Sequence, residues 1–564
     1  MATQVDTLAL TRALEQLQDA LAAIRLPLRT AAADSGEHVR GELQGQIGDY
    51  LLPRLRQMDA PLLMVVGGST GAGKSTLVNS LIGAEISAAG VLRPTTRAPV
   101  LACHPADVGW FEDDRVLPGL ARTSGRPAGP GGLELVPTER LPSGLALLDA
   151  PDIDSVVEAN RALAGQLLAA ADAWLFVTTA ARYADAVPWG LLESARERGT
   201  ALSLVLDRVP PPAADEVAAH LREMLAERGL GSTPLLVVPE TTLDDGRLPA
   251  PALAPVRAWL DGLAADAEAR AALVRRTLAG ALASVPGRGA TVRDALAEQA
   301  AAAGELRAAV ENAYGDALED VDEAVRSGAL LRGEVLARWH DVVGTGDLMR
   351  SLESHIGRLR DRLRAFATGR PAAEAELRTA VQTGVDAVVV AAADRAAERA
   401  AAAWRHAPAG RPLLDGAARL DAAAPDLAAR TGDEVRAWQG EVLELVRAEG
   451  AGKRNTARLA SLGVNGAGLT VMIAVFASTG GLTGAEIVVA GGTSALGQKV
   501  LEAVFGDQAV RTLAARARER LLERVQRVLD AEAARFVAVL DPVAPAPEAL
   551  EALDAALRDV ERLR

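Results

Sequence analysis

Short apolar runs alternate with amphipathic stretches between residues 60 and 255. The runs read LLMVV, PVLACH, LALLDAP, AWLFVTT, ALSLVLD and PLLVVPE. Each is bounded by Gly, Pro or Asp, and the stretches between them carry a helical period. That pattern predicts buried strands of a mostly parallel sheet with crossover helices. Residues 125–132, GRPAGPGG, predict a loop or tight turn.

Outside this region the period is helical. Residues 1–50 predict one or two helices, and 1–58 as a whole is expected to pack on a bundle. From about 256 to 458 long Ala/Leu/Arg/Glu tracts predict long helices of a bundle or stalk. Breaks are expected at Pro286, Pro371 and Pro412. Residues 459–498 are nearly free of charge, Glu486 excepted, and rich in Gly, Ser and Thr. Residues 499–564 return to helix, with a Pro-rich linker before a last short helix. The expected organisation is therefore 1–58, 59–255, 256–458, 459–498 and 499–564.

Composition narrows the classes. A chain of 564 residues is too long for one ordinary domain. A formal net charge of −14 argues against nucleic acid as partner and against broad adsorption to anionic lipid. The single cysteine, Cys103, permits no internal disulfide and fits a reducing, cytoplasmic setting. The first thirty residues have no basic n-region and read as an amphipathic helix, not a signal peptide. The histidines show no metal-ligand spacing; His104 and His220 read as surface or packing residues.

The candidate chemistry lies in LLMVVGGSTGAGKSTLVNSLIG, residues 62–83. Gly68, Ser69, Thr70, Gly71, Ala72, Gly73, Lys74 and Ser75 form a complete G-x-x-x-x-G-K-[ST] between a strand and a helix pattern, followed by Thr76. The glycines let backbone N–H groups approach phosphates, and the helix N-terminus adds its positive end. Lys74 suits the terminal phosphates as a compact charge. Of 60 basic residues only Lys74, Lys453 and Lys499 are lysines, so a lysine here stands out. Ser75 is the expected Mg²⁺ ligand. Thr96, in VLRPTTRAPV, is a second candidate ligand that would sense a γ-phosphate, with Thr95 as its rival. Asp149, ending LALLD, would hold the Mg²⁺ through water. Asp207 and Arg208 end ALSLVLDR where a base-reading loop is expected.

Taken together, the P-loop, PTTRAP, DAPD and a strand-ending LDRVP, followed by a long helical region with an apolar interruption, resemble the bacterial dynamin-like GTPases. The resemblance covers nearly the whole chain in organisation, with its sharp motifs in 62–210. It implies an α/β P-loop GTPase domain plus a long helical bundle or stalk with an apolar hairpin tip. It implies GTP and GDP as ligands, Mg²⁺ as cofactor, hydrolysis by phosphoryl transfer to water, and self-assembly or pairing with a related protein. Thr96-Arg97-Ala98-Pro99 matches the family's switch-I threonine, and Asp149-Ala150-Pro151 most of its D-x-P-G. Three elements depart from the family. Asp152 stands where the family has a glycine. Asp207-Arg208-Val209-Pro210 stands in for [NT]-K-x-D without the terminal aspartate. Thr70 and Gly71 occupy the positions of the Gln and Ser that place the attacking water, which makes Thr70 a candidate catalytic residue and points to slow or assembly-dependent hydrolysis.

Residues 459–485 are long enough to span a membrane, but their densest apolar core is only LTVMIAVFA, 469–477. Gly480 and Gly484 have the spacing of close helix packing. Lys453, Arg454 and Arg458 precede the segment and Lys499 follows it, as lipid headgroups would favour. By the same resemblance, 459–498 would be a membrane paddle, placing the protein in the cytoplasm and peripherally on the inner face of the cell membrane. The competing expectation is a hairpin buried in the bundle or a subunit interface, in a soluble nucleotide-dependent switch or scaffold.

Overall fold

The computed structural model describes residues 2–87, 98–113, 116–117, 120–124, 132–152, 158–326, 371–415, 419–451, 475 and 507–564. They form two compact units. One contains 1–26, 31–297 and 545–564; the other contains 27–30 and 298–544.

The first unit begins with α1 (Ala2–Ala23) and α2 (Ala33–Gly45), a π-helical turn (Gln46–Leu51) and α3 (Leu52–Arg56). Its sheet is built from β1 (Leu62–Gly68), β2 (Val100–Cys103), β3 (Ala121–Ser124), β4 (Gly132–Pro137), β5 (Leu145–Asp149), β6 (Ala173–Thr179), β7 (Ala201–Val209) and β8 (Leu235–Pro239). The connecting helices are α4 (Lys74–Ile82), α5 (Glu158–Ala169), α6 (Ala186–Glu197), α7 (Ala214–Glu227) and α8 (Ala250–Ala265). The strand order is β3-β4-β2-β5-β1-β6-β7-β8. Every pairing is parallel except β2 with β5. β1, β5 and β6 are buried along their whole length, as uninterrupted apolar runs require when helices cover both faces.

All six expected strands form. β3 and β4 were not expected. ARTS has only Ala121 as an apolar residue, too little to announce β3, and its hydrogen bonding to β4 defines it.

The long helix α9 (Ala267–Arg326) carries Pro286 inside it, so the break expected there does not occur. Proline removes one helical hydrogen bond, a cost of about 3 kcal/mol in a free helix. Here Leu282, Val285, Val292 and Leu296 on both sides of it are buried against α1, α2 and the C-terminal helix α14 (Ala549–Leu563), and their packing holds the helix through the proline. The helices of residues 1–58 thus share a core with the first half of α9, in the same unit as the sheet. The border between the units falls inside α9, between 297 and 298, and not at the expected 255.

At the N-terminal edge of the sheet Arg54 pairs with Asp172, its Nε donating to Oδ1 at 2.9 Å, both side chains buried. Leu63 N donates to the same carboxylate at 2.8 Å. Thr277 of α9 donates to Asp172 O at 2.9 Å and accepts from Ala201 N at 3.2 Å. These bonds tie α3, β1, β6, β7 and α9 together at the end of the sheet opposite the P-loop.

The second unit is helical, with the second half of α9, α10 (Pro371–His406), α11 (Arg411–Asp415), α12 (Leu427–Ala451) and α13 (Asp507–Leu540). Trp404 donates to Leu306 O at 3.0 Å and packs edge-on against Phe536, and Trp438 donates to Ala517 O at 2.7 Å. Val475 is buried in this core. The rest of 459–498, with Lys453 and Lys499, lies outside the described residues. Among the described residues no helix is long and apolar enough to cross a membrane.

Candidate nucleotide site

β1 ends on Gly68, the loop turns through Gly71 and Gly73 at positive φ, and α4 starts at Lys74. Two of the glycines are sterically required. A Cβ on Gly68, at φ 148°, would lie 2.1 Å from Val177 O, and one on Gly73, at φ 97°, would lie 2.5 Å from Asp207 Oδ2.

Lys74 is buried, with 5% of its side chain exposed. Its Nζ donates to Gly68 O at 2.9 Å, Ser69 O at 3.0 Å and Asp152 Oδ1 at 2.5 Å. Beside it Ser75 Oγ donates to Asp149 Oδ2 at 2.6 Å. Asp149 is fully buried at the end of β5; burial pushes its carboxyl up, opposed by the hydrogen bonds from Ser75 and Ser87 and the charge of Lys74.

Four buried side-chain oxygens here have no hydrogen-bond partner: Ser69 Oγ, Asp149 Oδ1, Thr178 Oγ1 and Asp207 Oδ1. They sit at the C-terminal ends of β1, β5, β6 and β7, adjacent strands of the sheet. Buried polar atoms are almost always satisfied, so an unsatisfied row marks a place built for a ligand. In an open parallel sheet that place is the C-terminal edge. Hard oxygen donors of Ser75 and Asp149, with a free lone pair on Asp149, fit Mg²⁺.

Sequence reasoning missed three side chains that brace the site. Ser87 Oγ donates to Asp149 Oδ2 at 2.6 Å. The buried Asn79 of α4 holds Ser87 in place, donating to its carbonyl at 2.7 Å and accepting from the N–H groups of Ile86 and Ser87 at 2.9 and 3.0 Å. Arg182, after β6, donates to Thr70 O at 2.7 Å and so pins the middle of the P-loop. The one available signal was a polar residue, Asn79, on an apolar helix face.

The structure brings Gly68, Ser69, Thr70, Gly71, Ala72, Gly73, Lys74, Ser75, Thr76 and Asp149 together. Asp207 lies with its carboxylate against Gly73, and burial pushes its carboxyl up. Arg208, at φ 53°, is half exposed next to it. Thr95, Thr96 and Arg97 lie outside the described residues. Cys103 is buried in β2 and its thiol is pushed up to about 12 by burial, which makes it an inert packing residue. His104 caps the turn that follows β2, accepting from Ala106 N at 3.1 Å, and His220 pairs with the Tyr183 hydroxyl at 2.8 Å.

Strand, glycine turn and helix in this geometry define a P-loop α/β domain, here joined to a helical unit. No protein-family model and no curated protein matches the chain. Two solved structures are similar to it over nearly its whole length, both described as an oligomerised bacterial dynamin pair that senses and tethers membranes over long range. One has 9% identity and a TM-score of 0.42, covering 95% of this chain and 96% of its own. The other has 9% identity and a TM-score of 0.35, covering 98% and 95%. Neither similarity assigns an activity to this chain.

Proposed function

We propose that the protein is a dynamin-like GTPase that binds and hydrolyses GTP and couples it to movement of its helical unit, self-assembly and membrane binding or remodelling. The observation that carries the nucleotide reading is Lys74 and Ser75 at the head of α4, beneath a glycine turn and facing unsatisfied buried oxygens.

In this reading Lys74 holds the terminal phosphates, and the loop N–H groups and the α4 N-terminus stabilise the charge that grows on them in the transition state. Ser75 and Asp149 hold Mg²⁺, with Thr96 as a further ligand. Bound there, Mg²⁺ would neutralise phosphate charge. Ser87 aims the Asp149 carboxylate, Arg182 fixes the carbonyl of Thr70, and the Thr70 side chain is the candidate to place the attacking water. Asp207 and Arg208 border the nucleotide from β7. The choice of GTP over ATP, and a partner copy completing the site, rest on the resemblance to dynamin-like GTPases. α9 supplies residues to both compact units and is the element through which nucleotide state would reach the helices.

Membrane contact through 459–498 is supported by its near lack of charge, Glu486 excepted, and its basic flanks. It would place the protein in the cytoplasm, peripherally on the inner face of the cell membrane. The burial of Val475 favours the second reading, a soluble nucleotide-dependent switch or scaffold. Calorimetry with GTP, ATP and GDP tests the nucleotide reading, together with turnover of the wild type and Lys74→Ala. GTP binding and turnover that Lys74→Ala abolishes are expected. Equal, negligible rates in both chains would leave only a scaffold. Flotation with anionic vesicles, comparing the full chain with one lacking 463–497, separates the membrane reading from the soluble one.

A further inference from the structure

The three hydrogens of the Lys74 ammonium are all in use. An ammonium has three donors and no more. They go to Gly68 O, Ser69 O and Asp152 Oδ1. Of the three partners only Asp152 carries a charge, and it alone neutralises a nearly buried cation. A phosphate oxygen can therefore gain a donor from Lys74 only by displacing one of these three. The two carbonyls belong to the loop itself. The Asp152 carboxylate, one-fifth exposed, has water beside it to return to.

We propose that Asp152 is an internal competitor for Lys74: its carboxylate occupies the position of a nucleotide phosphate oxygen and sets the affinity of the site. This inference rests on the nucleotide reading above. The paired state is closed to phosphate, so the observed affinity is the intrinsic one reduced by the fraction of molecules in which Lys74 is released. The acidic neighbour Asp149 is set apart by its bonds: Oδ2 accepts from Ser75 and Ser87, and neither of its oxygens takes a hydrogen from Lys74 Nζ. The competition is specific to residue 152.

The test compares the full chain with Asp152→Asn, Lys74→Met and the double variant. Calorimetry with GTP and Mg²⁺ at fixed ionic strength is expected to show Asp152→Asn binding roughly tenfold more tightly than the wild type, the gain that follows when Lys74 is released in about one wild-type molecule in ten. Melting of the four chains without nucleotide reads the pair itself. Asp152→Asn is expected to lower the melting temperature when Lys74 is present and not when residue 74 is methionine. Equal GTP affinity in the wild type and Asp152→Asn overturns the competition, whatever the melting shows. Equal melting shifts in both backgrounds also overturn it, because any gain in affinity then comes from simple repulsion between carboxylate and phosphate. No binding of GTP or ATP by any of the four chains sinks the nucleotide reading as well. Binding by the wild type with no gain in Asp152→Asn sinks the competitor alone.

Discussion

Ser87 Oγ lies 2.6 Å from Asp149 Oδ2, the same oxygen that receives the Ser75 hydroxyl. The two serines play different parts if Ser75 turns to a metal ion. Ser75 then gives up its bond to Asp149, and Ser87, held by Asn79, is what still aims the carboxylate. Ser87→Ala is expected to weaken the Mg²⁺-dependent part of nucleotide binding about tenfold, the usual scale for an outer partner of a metal ligand. Binding in EDTA should not change, and Ser87→Thr should restore the loss. An equal loss with and without Mg²⁺ would make Ser87 a packing residue only.

Arg182 reaches across from β6 to the carbonyl of Thr70, and its side chain is 40% exposed. A partly exposed hydrogen bond of this kind contributes little to folding but fixes the loop that, in the proposed function, meets phosphate. Arg182→Ala should weaken nucleotide binding about three- to tenfold while lowering stability by about 1 kcal/mol or less. Titration by fluorescent nucleotide and thermal melting check both halves. A large melting loss with unchanged affinity would contradict it.

Gly199 and Gly280 cross backbone to backbone. A Cβ on Gly280 would lie 2.8 Å from Gly199 Cα, with no flexible side chain to give way. Alanine improves helix propensity by up to about 1 kcal/mol, but overpacking a rigid contact costs about 1–3 kcal/mol. The clash should win, so Gly280→Ala is expected to lower the chemical-denaturation midpoint. Gly262→Ala, on α8 with open space around it, serves as the control that should not.

Asp49 sits in the π-helical turn, half-buried, and burial pushes its carboxyl up from 3.8 to about 6. The folded protein therefore holds this proton more tightly than the unfolded chain does. The stabilising effect of that proton is present below pH 3.8 and is lost as pH rises through about 6. Asp49→Asn should raise stability at pH 7.5 by about 1 kcal/mol, after discounting for solvent screening of a half-buried side chain, and should give no gain at pH 4 or below. A gain that does not depend on pH would assign the effect to something other than ionisation.

The sequence was most informative where one local interaction decides the outcome. Uninterrupted apolar runs can only be buried strands at that length, so β1, β5 and β6 were readable. So was the glycine turn between β1 and α4, because the positive φ of Gly71 and Gly73 asks for glycine at those places. Asp149 was readable as the polar end of an apolar strand. By contrast, β3 has a polar sequence and exists through its pairing with β4. Pro286 reads as a helix break because local propensity says so, and the packing of Val285 and its neighbours against α1, α2 and α14 overrides it.

By itself the sequence determined the alternation of strand and helix, the phosphate loop and the helical remainder, since each follows from periodicity and local backbone demands. Tertiary structure alone decided which distant side chains meet. Arg182 reaches Thr70 from 112 positions away and Lys74 meets Asp152 from 78 away. The order of strands sets those meetings, and no local pattern encodes it. Asp152 shows the difference plainly: in the sequence it is a carboxylate where the dynamin-like pattern has a glycine, and in the fold it is the ion-pair partner of Lys74.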